Sequence, residues 1–100
     1  MIKDDVSEEL KKDDYQLIFD ALASVSSYGK NIINEAGFIS TTVEILFPQK
    51  SRGKSIEKVR SALERFYELE LVEKIDNRRL KANEDSIRKY AKNVEKLKVF

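Results

Sequence analysis

The sequence predicts a mostly α-helical domain that carries one small β-hairpin. Three observations predict it. Apolar residues recur every three or four positions over residues 15–25 and 56–66, the period of a helix with one buried face. β-prone runs over residues 71–75 and 80–82 flank the turn-forming pair Asp76-Asn77. Gly and Pro number only three and one in 100 residues, so long unstructured stretches are not expected.

The length suits one domain with an appended helix. Residues 1–13 read as an N-terminal segment or short helix, 14–83 as the domain proper, and 84–100 as a closing helix. Asp5 with Glu8 three residues on has the spacing of a capping box, which predicts the short first helix. The next helix starts near Asp13 or Asp14, with Tyr15, Ile18, Phe19, Leu22 and Val25 as its buried stripe, and residues 26–29 end it. Residues 30–36 fit either a further helical turn or a packed loop. After Gly37, Phe38-Ile39 reads as a very short strand. Ser40, Thr41 or Thr42 then caps a helix over residues 41–47, because a hydroxyl there accepts from an unpaired N–H. Val43, Ile45, Leu46 and Phe47 face its core, and Pro48 stops it.

A basic connector follows over residues 49–54, with Lys50, Arg52 and Lys54 around Gly53. Ser55 is the expected N-cap of a longer helix over residues 55–69. Ile56, Val59, Leu63 and Phe66 form its apolar stripe; Glu57, Lys58, Ser61, Glu64 and Arg65 fall opposite, with Arg60 on the flank. Asp76-Asn77 suits the positive φ angles of a tight hairpin, with Arg78 and Arg79 at the tip. Residues 83–85 cap the last helix, whose stripe is Ile87, Tyr90, Ala91, Val94 and Leu97, with Arg88, Lys89, Lys92 and Lys96 facing away.

The residue inventory narrows function. There is no Cys, hence no disulfide or thiolate metal site, and no His, the commonest general base and metal ligand. An enzyme is not expected, nor any cofactor or metal. The acid pairs Asp4-Asp5 and Asp13-Asp14 read as helix caps and dipole partners. Arg52-Gly53-Lys54-Ser55 resembles the end of a phosphate-binding loop, but Pro48 stands where that motif needs its leading Gly. No apolar run approaches the roughly 20 residues of a membrane span, and the charged residues 1–14 do not read as a signal peptide. A cytoplasmic, nucleoid-associated protein is the expectation.

Net charge is only +1, but its distribution is uneven. Residues 1–20 carry three Lys against seven acids. Residues 48–60 carry five Lys or Arg against Glu57, and residues 74–83 carry four against Asp76. Residues 61–73 carry Arg65 against four Glu. With a screening length of about 8 Å at cell salt, local patches decide what binds. Lys50, Arg52, Lys54, Ser55 and Lys58 surround a helix N-terminus, which suits phosphate. A solvated loop tip is the plain alternative.

Gly37-Phe-Ile-Ser-Thr-Thr-Val-Glu-Ile-Leu resembles the strand and second helix of winged helix-turn-helix regulators. The run from Ser55, SIEKVRSALERFYELELVEK, resembles their third helix passing into the first wing strand. The family often has a Gly at that junction, where this chain has Glu70-Leu71-Val72. The closing helix resembles the dimerisation helix of the PadR and MarR-like groups. The resemblance implies a homodimer on double-stranded DNA, with the third helix in the major groove and the wing on the backbone or minor groove. Carried onto this sequence, it implies DNA contacts at Thr41, Thr42, Lys50, Ser51, Arg52, Lys54, Ser55, Lys58, Ser61, Arg65, Arg78, Arg79 and Lys81. Ile87, Tyr90, Ala91, Val94 and Leu97 would form the dimer contact. A sequence-specific transcriptional regulator is the first expectation. The same fold also serves partition proteins that coat centromere DNA on archaeal plasmids, and modules that bind protein partners instead of DNA.

Overall fold

A computed structural model describes residues 5–12, 14–27 and 32–92. Five helices and three short strands follow in the order α1 (Asp5–Leu10), α2 (Tyr15–Ser27), β1 (Ile32–Asn34), α3 (Glu35–Leu46), α4 (Arg52–Glu68), β2 (Val72–Lys74), β3 (Arg79–Ala82) and α5 (Glu84–Tyr90). The chain is mostly helical, with one antiparallel sheet of order β1-β3-β2. Ile33 pairs with Leu80, and Lys74 pairs with Leu80 from the other side, so β3 is the central strand.

The core lies between α2, α4 and the inner face of the sheet. Ile18, Phe19 and Leu22 of α2 and Val59, Leu63 and Phe66 of α4 are buried, as their helical spacing predicts. The Phe66 ring meets Phe19 edge-on at 5.5 Å and Tyr15 at 6.1 Å. Burying one such side chain contributes roughly 1.5–3 kcal/mol. The sheet adds Ile33, Val72, Leu80 and Ala82, and α1 adds Leu10.

The middle of the chain folds differently from the sequence expectation. Phe38-Ile39 is not a strand; both residues are buried inside α3, and the third strand is Ile32–Asn34. The cap is Asn34, not a hydroxyl of residues 40–42. Its side chain accepts the Gly37 N–H at 2.7 Å, and the Arg78 carbonyl accepts the Glu35 N–H at 2.8 Å. Two otherwise unpaired donors are thus satisfied seven residues before Thr41 could offer an acceptor. A Cβ at Gly37 would meet the Asn34 oxygen at 3.2 Å, so glycine suits this close approach.

The basic connector is shorter than expected. α4 begins at Arg52, and its N-cap is Ser51, with an extended ψ of 123°. Ser55 lies inside the first turn, its N–H on the Ser51 carbonyl and its side chain buried. The turn between α3 and α4 is therefore residues 47–51.

The end of α4 is a left-handed cap. Glu70 has φ 63°, the one positive φ at a non-Gly residue among the described residues. The Leu71 N–H reaches the Phe66 carbonyl at 2.9 Å and the Glu70 N–H reaches Tyr67 at 3.1 Å, the two bonds of a Schellman motif. It follows that Asp76 and Asn77 do not use the positive φ expected of them. Asp76 shapes the hairpin loop through its side chain, whose Oδ1 accepts from the N–H groups of both Arg78 and Arg79 at 2.9 Å.

The closing helix is capped by Asn83, which accepts the Ser86 N–H, as expected. It does not run through one stripe to Leu97. It ends at Tyr90, and Ala91 is extended with ψ 144°. Gln16 donates to the Tyr90 carbonyl at 3.0 Å, and buried Asp20 accepts the Lys92 N–H at 2.9 Å. Side-chain bonds from α2 hold the chain as it leaves the helix. Ile87, Tyr90 and Ala91 pack partly against the chain's own core. Val94 and Leu97 lie outside the described residues.

Candidate nucleic-acid interface

α3 is the girder for both basic elements. Its N-terminus holds the hairpin loop through the Glu35 N–H on the Arg78 carbonyl, 2.8 Å. One and a half turns on, Ser40 accepts from Arg52 at 2.9 Å, and Glu44 lies 3.7 Å from the same guanidinium. Arg52 thereby fixes the start of α4 to α3. At 1.5 Å per residue the two anchor points are roughly 8 Å apart along one helix.

The start of α4 presents open donors. Ser51 makes no side-chain cap bond. Lys50 and Lys54 are exposed and form no ion pair among the described residues, and Lys50 stands 5.9 Å above the Phe47 ring. Nothing lies within 4 Å of where a Cβ on Gly53 would sit. On the hairpin, Arg78 is exposed and likewise forms no ion pair among the described residues. Lys81 projects from the outer face of β3, opposite Glu73 in register.

Several expected contacts are engaged within the fold. Lys58 reaches Asp14 on the approach to α2 at 2.8 Å, and stands 5.6 Å over the Phe47 ring. Arg65 lies 2.7 Å from Glu9 of α1 and 2.7 Å from Glu68. Neither therefore points freely away from the core as the helical wheel implied. The Glu9 carboxyl is drawn down from 4.5 to about 2, chiefly by the hydrogen bond from Arg65, and the Arg65 guanidinium is raised by the same bond. Arg79 folds back on Asp76, with Nε at 2.9 Å and Nη2 at 2.7 Å, which lowers the carboxyl and raises the guanidinium.

Thr42 and Ser55 are buried, so neither hydroxyl can meet a ligand. Thr41 is exposed, but lines an open groove of about 250 Å³ with Val25, Ile32 and Phe38, between α2 and β1. Ser61 is exposed on α4, beside Glu57, Arg60 and Glu64. Arg60 lies 3.3 Å from Glu57.

Sequence reasoning missed the residues that hold these elements in place. Glu35, Ser40 and Glu44 of α3, and Asp14 and Glu9 before them, act across distances in the chain that periodicity does not register; Asn34 acts locally, as the cap of α3. Asp76 was legible as a turn residue two positions before Arg78. Glu35 also accepts from Tyr67 at 2.9 Å and lies 3.5 Å from Lys74; burial and that bond raise the Tyr67 hydroxyl well above its ordinary value.

Among the described residues, no cluster of three or more acids, His or Cys is placed to hold a metal ion. No described helix is long and apolar enough to cross a membrane. Comparisons with family models, curated proteins and solved structures give no match.

Proposed function

We propose that this chain is a winged-helix protein that binds double-stranded DNA, working as a homodimer in transcriptional regulation. The supporting observation is α3, which anchors the leading end of α4 and the β2-β3 loop about 8 Å apart along its axis. The helix-strand-helix-helix-hairpin order and the β1-β3-β2 sheet support that reading. In that reading α4 is the recognition helix and the β2-β3 hairpin the wing. Lys50 and Lys54 meet one stretch of backbone beside the open N–H groups of α4, and Arg78 meets another. Gly53 keeps the first turn of α4 clear for that approach.

The dimer contact falls to the exposed side of α5, since Ile87, Tyr90 and Ala91 already pack partly on their own core. A DNA-coating, partition-type role is the second reading. It is favoured by β1, an edge strand whose Ile32 is 51% exposed and open to side-by-side contact between copies.

Gel shift with a 30-base-pair duplex at roughly 50 mM salt tests the proposal. The wild-type chain is expected to bind, and the triple variant Lys50→Ala, Lys54→Ala, Arg78→Ala to lose most of that binding while melting normally. Absence of any shift at this salt refutes the reading.

A further inference from the structure

The ion pairs on α4 say what kind of DNA contact the proposed site makes. We infer that the duplex is held through its phosphate backbone, and that each protomer reads at most one base pair directly. This rests on the duplex-DNA reading above and narrows its substrate class.

Direct reading of bases needs particular side chains on the solvent face of the inserted helix: Arg or Lys for guanine, Asn or Gln for adenine, Asp or Glu for cytosine. α4 has no Asn or Gln at all. Lys58 is drawn aside to Asp14 at 2.8 Å. Arg65 is held at 2.7 Å by Glu9 on one side and Glu68 on the other. Arg52 reaches off α4 to two residues of α3, Ser40 at 2.9 Å and Glu44 at 3.7 Å, and so points toward that helix. On the exposed face beyond the first turn, this leaves Glu57, Arg60, Ser61 and Glu64. Ser61 is short and accepts or donates alike, so it discriminates little. Glu64 stands twelve residues past the helix start, roughly 18 Å along the axis, where only the leading end of a recognition helix meets base edges. Arg60 is the remaining long donor. Its pair with Glu57 is exposed on both sides and opens at little cost, whereas Glu57, an anion one turn from the phosphates that Lys54 would meet, is repelled from the duplex.

The cations at the front of the site are of the other kind. Lys50, Lys54 and Arg78 have no carboxylate partner among the described residues, and two of the three are flexible ammonium groups that suit phosphate as point charges. Three phosphate contacts per protomer give a salt slope of roughly −3.

The test is a base-pair scan. The full chain is used to select its best sites from a pool of randomised 30-base-pair duplexes. Every base pair of the best site is then substituted in turn, and affinity is measured across a salt series. The expected result is at most one position per half-site where substitution costs more than about 5-fold, with the loss removed by Arg60→Ala. A slope near −3 per protomer should accompany it. Two or more positions per half-site costing more than 5-fold, or a penalty that survives Arg60→Ala, overturns this inference and leaves the DNA-binding proposal standing. No binding to any duplex at roughly 50 mM salt overturns both.

Discussion

Replacing Glu70 by glycine is expected to stabilise the protein. Glu70 holds φ 63° at the residue that ends α4. In that region the Cβ of an L residue crowds the following carbonyl, at a cost of about 1–2 kcal/mol. Glycine has no Cβ and takes the conformation freely, but the unfolded chain gains freedom that returns about 0.5–1 kcal/mol. The cap itself survives the change, because both of its bonds, Leu71 N–H to Phe66 at 2.9 Å and Glu70 N–H to Tyr67 at 3.1 Å, are backbone bonds. The side chain is exposed, so little packing is lost. The net gain is about 1 kcal/mol, or a rise in Tm of roughly 4–8 °C in a domain of this size. Thermal melts followed by circular dichroism, with Glu70→Ala as control, measure it. Alanine removes the same carboxylate but keeps the Cβ, and should leave Tm near the wild-type value. If the glycine variant melts no higher than the alanine variant, backbone strain is not what this position stores.

Three further outcomes follow from buried or paired groups. The Thr42 hydroxyl is fully buried and has no hydrogen-bond partner among the described residues, so Thr42→Val should raise the urea midpoint by an amount worth about 1 kcal/mol. Asp20 is buried and accepts from Gln16 and from the Lys92 N–H, both at 2.9 Å; Asp20→Ala should cost about 2 kcal/mol in urea unfolding, and Asp20→Asn, which keeps an acceptor oxygen, distinctly less. The Glu9 carboxyl is depressed from 4.5 to about 2 by Arg65, so its contribution to stability is present above about pH 4.5 and is lost as pH falls toward 2. Melting wild type and Glu9→Gln across that window should show the gap between them closing with acid; a gap that stays constant removes the ion pair as its cause.

Much of the architecture was legible because burial leaves a periodic trace. The stripes Ile18-Phe19-Leu22 and Val59-Leu63-Phe66 repeat at helical spacing, and both are buried. Asn83 announced the start of α5, and Pro48 the end of α3. The third strand was not legible. Ile32–Asn34 is three residues long, too short for a period, and becomes a strand only because β3 lies beside it. The break at Ala91 was hidden for a related reason: the apolar spacing continues to Leu97, while the bonds that hold the extended segment come from Gln16 and Asp20, more than seventy residues earlier.

By itself the sequence determined the helical class, the two packing faces of the core, the hairpin and the placing of positive charge around residues 50–54 and 78–81. These follow from local chemistry: spacing, caps, turn residues and charge are all properties of neighbours in the chain. Only the tertiary structure decided which of those charges remain unpaired. Lys58 and Arg65 look like a DNA-facing pair on a helical wheel, yet each meets a carboxylate more than forty residues away. Whether a charged side chain is neutralised inside the fold depends on which distant element packs beside it, and no neighbour in sequence carries that information.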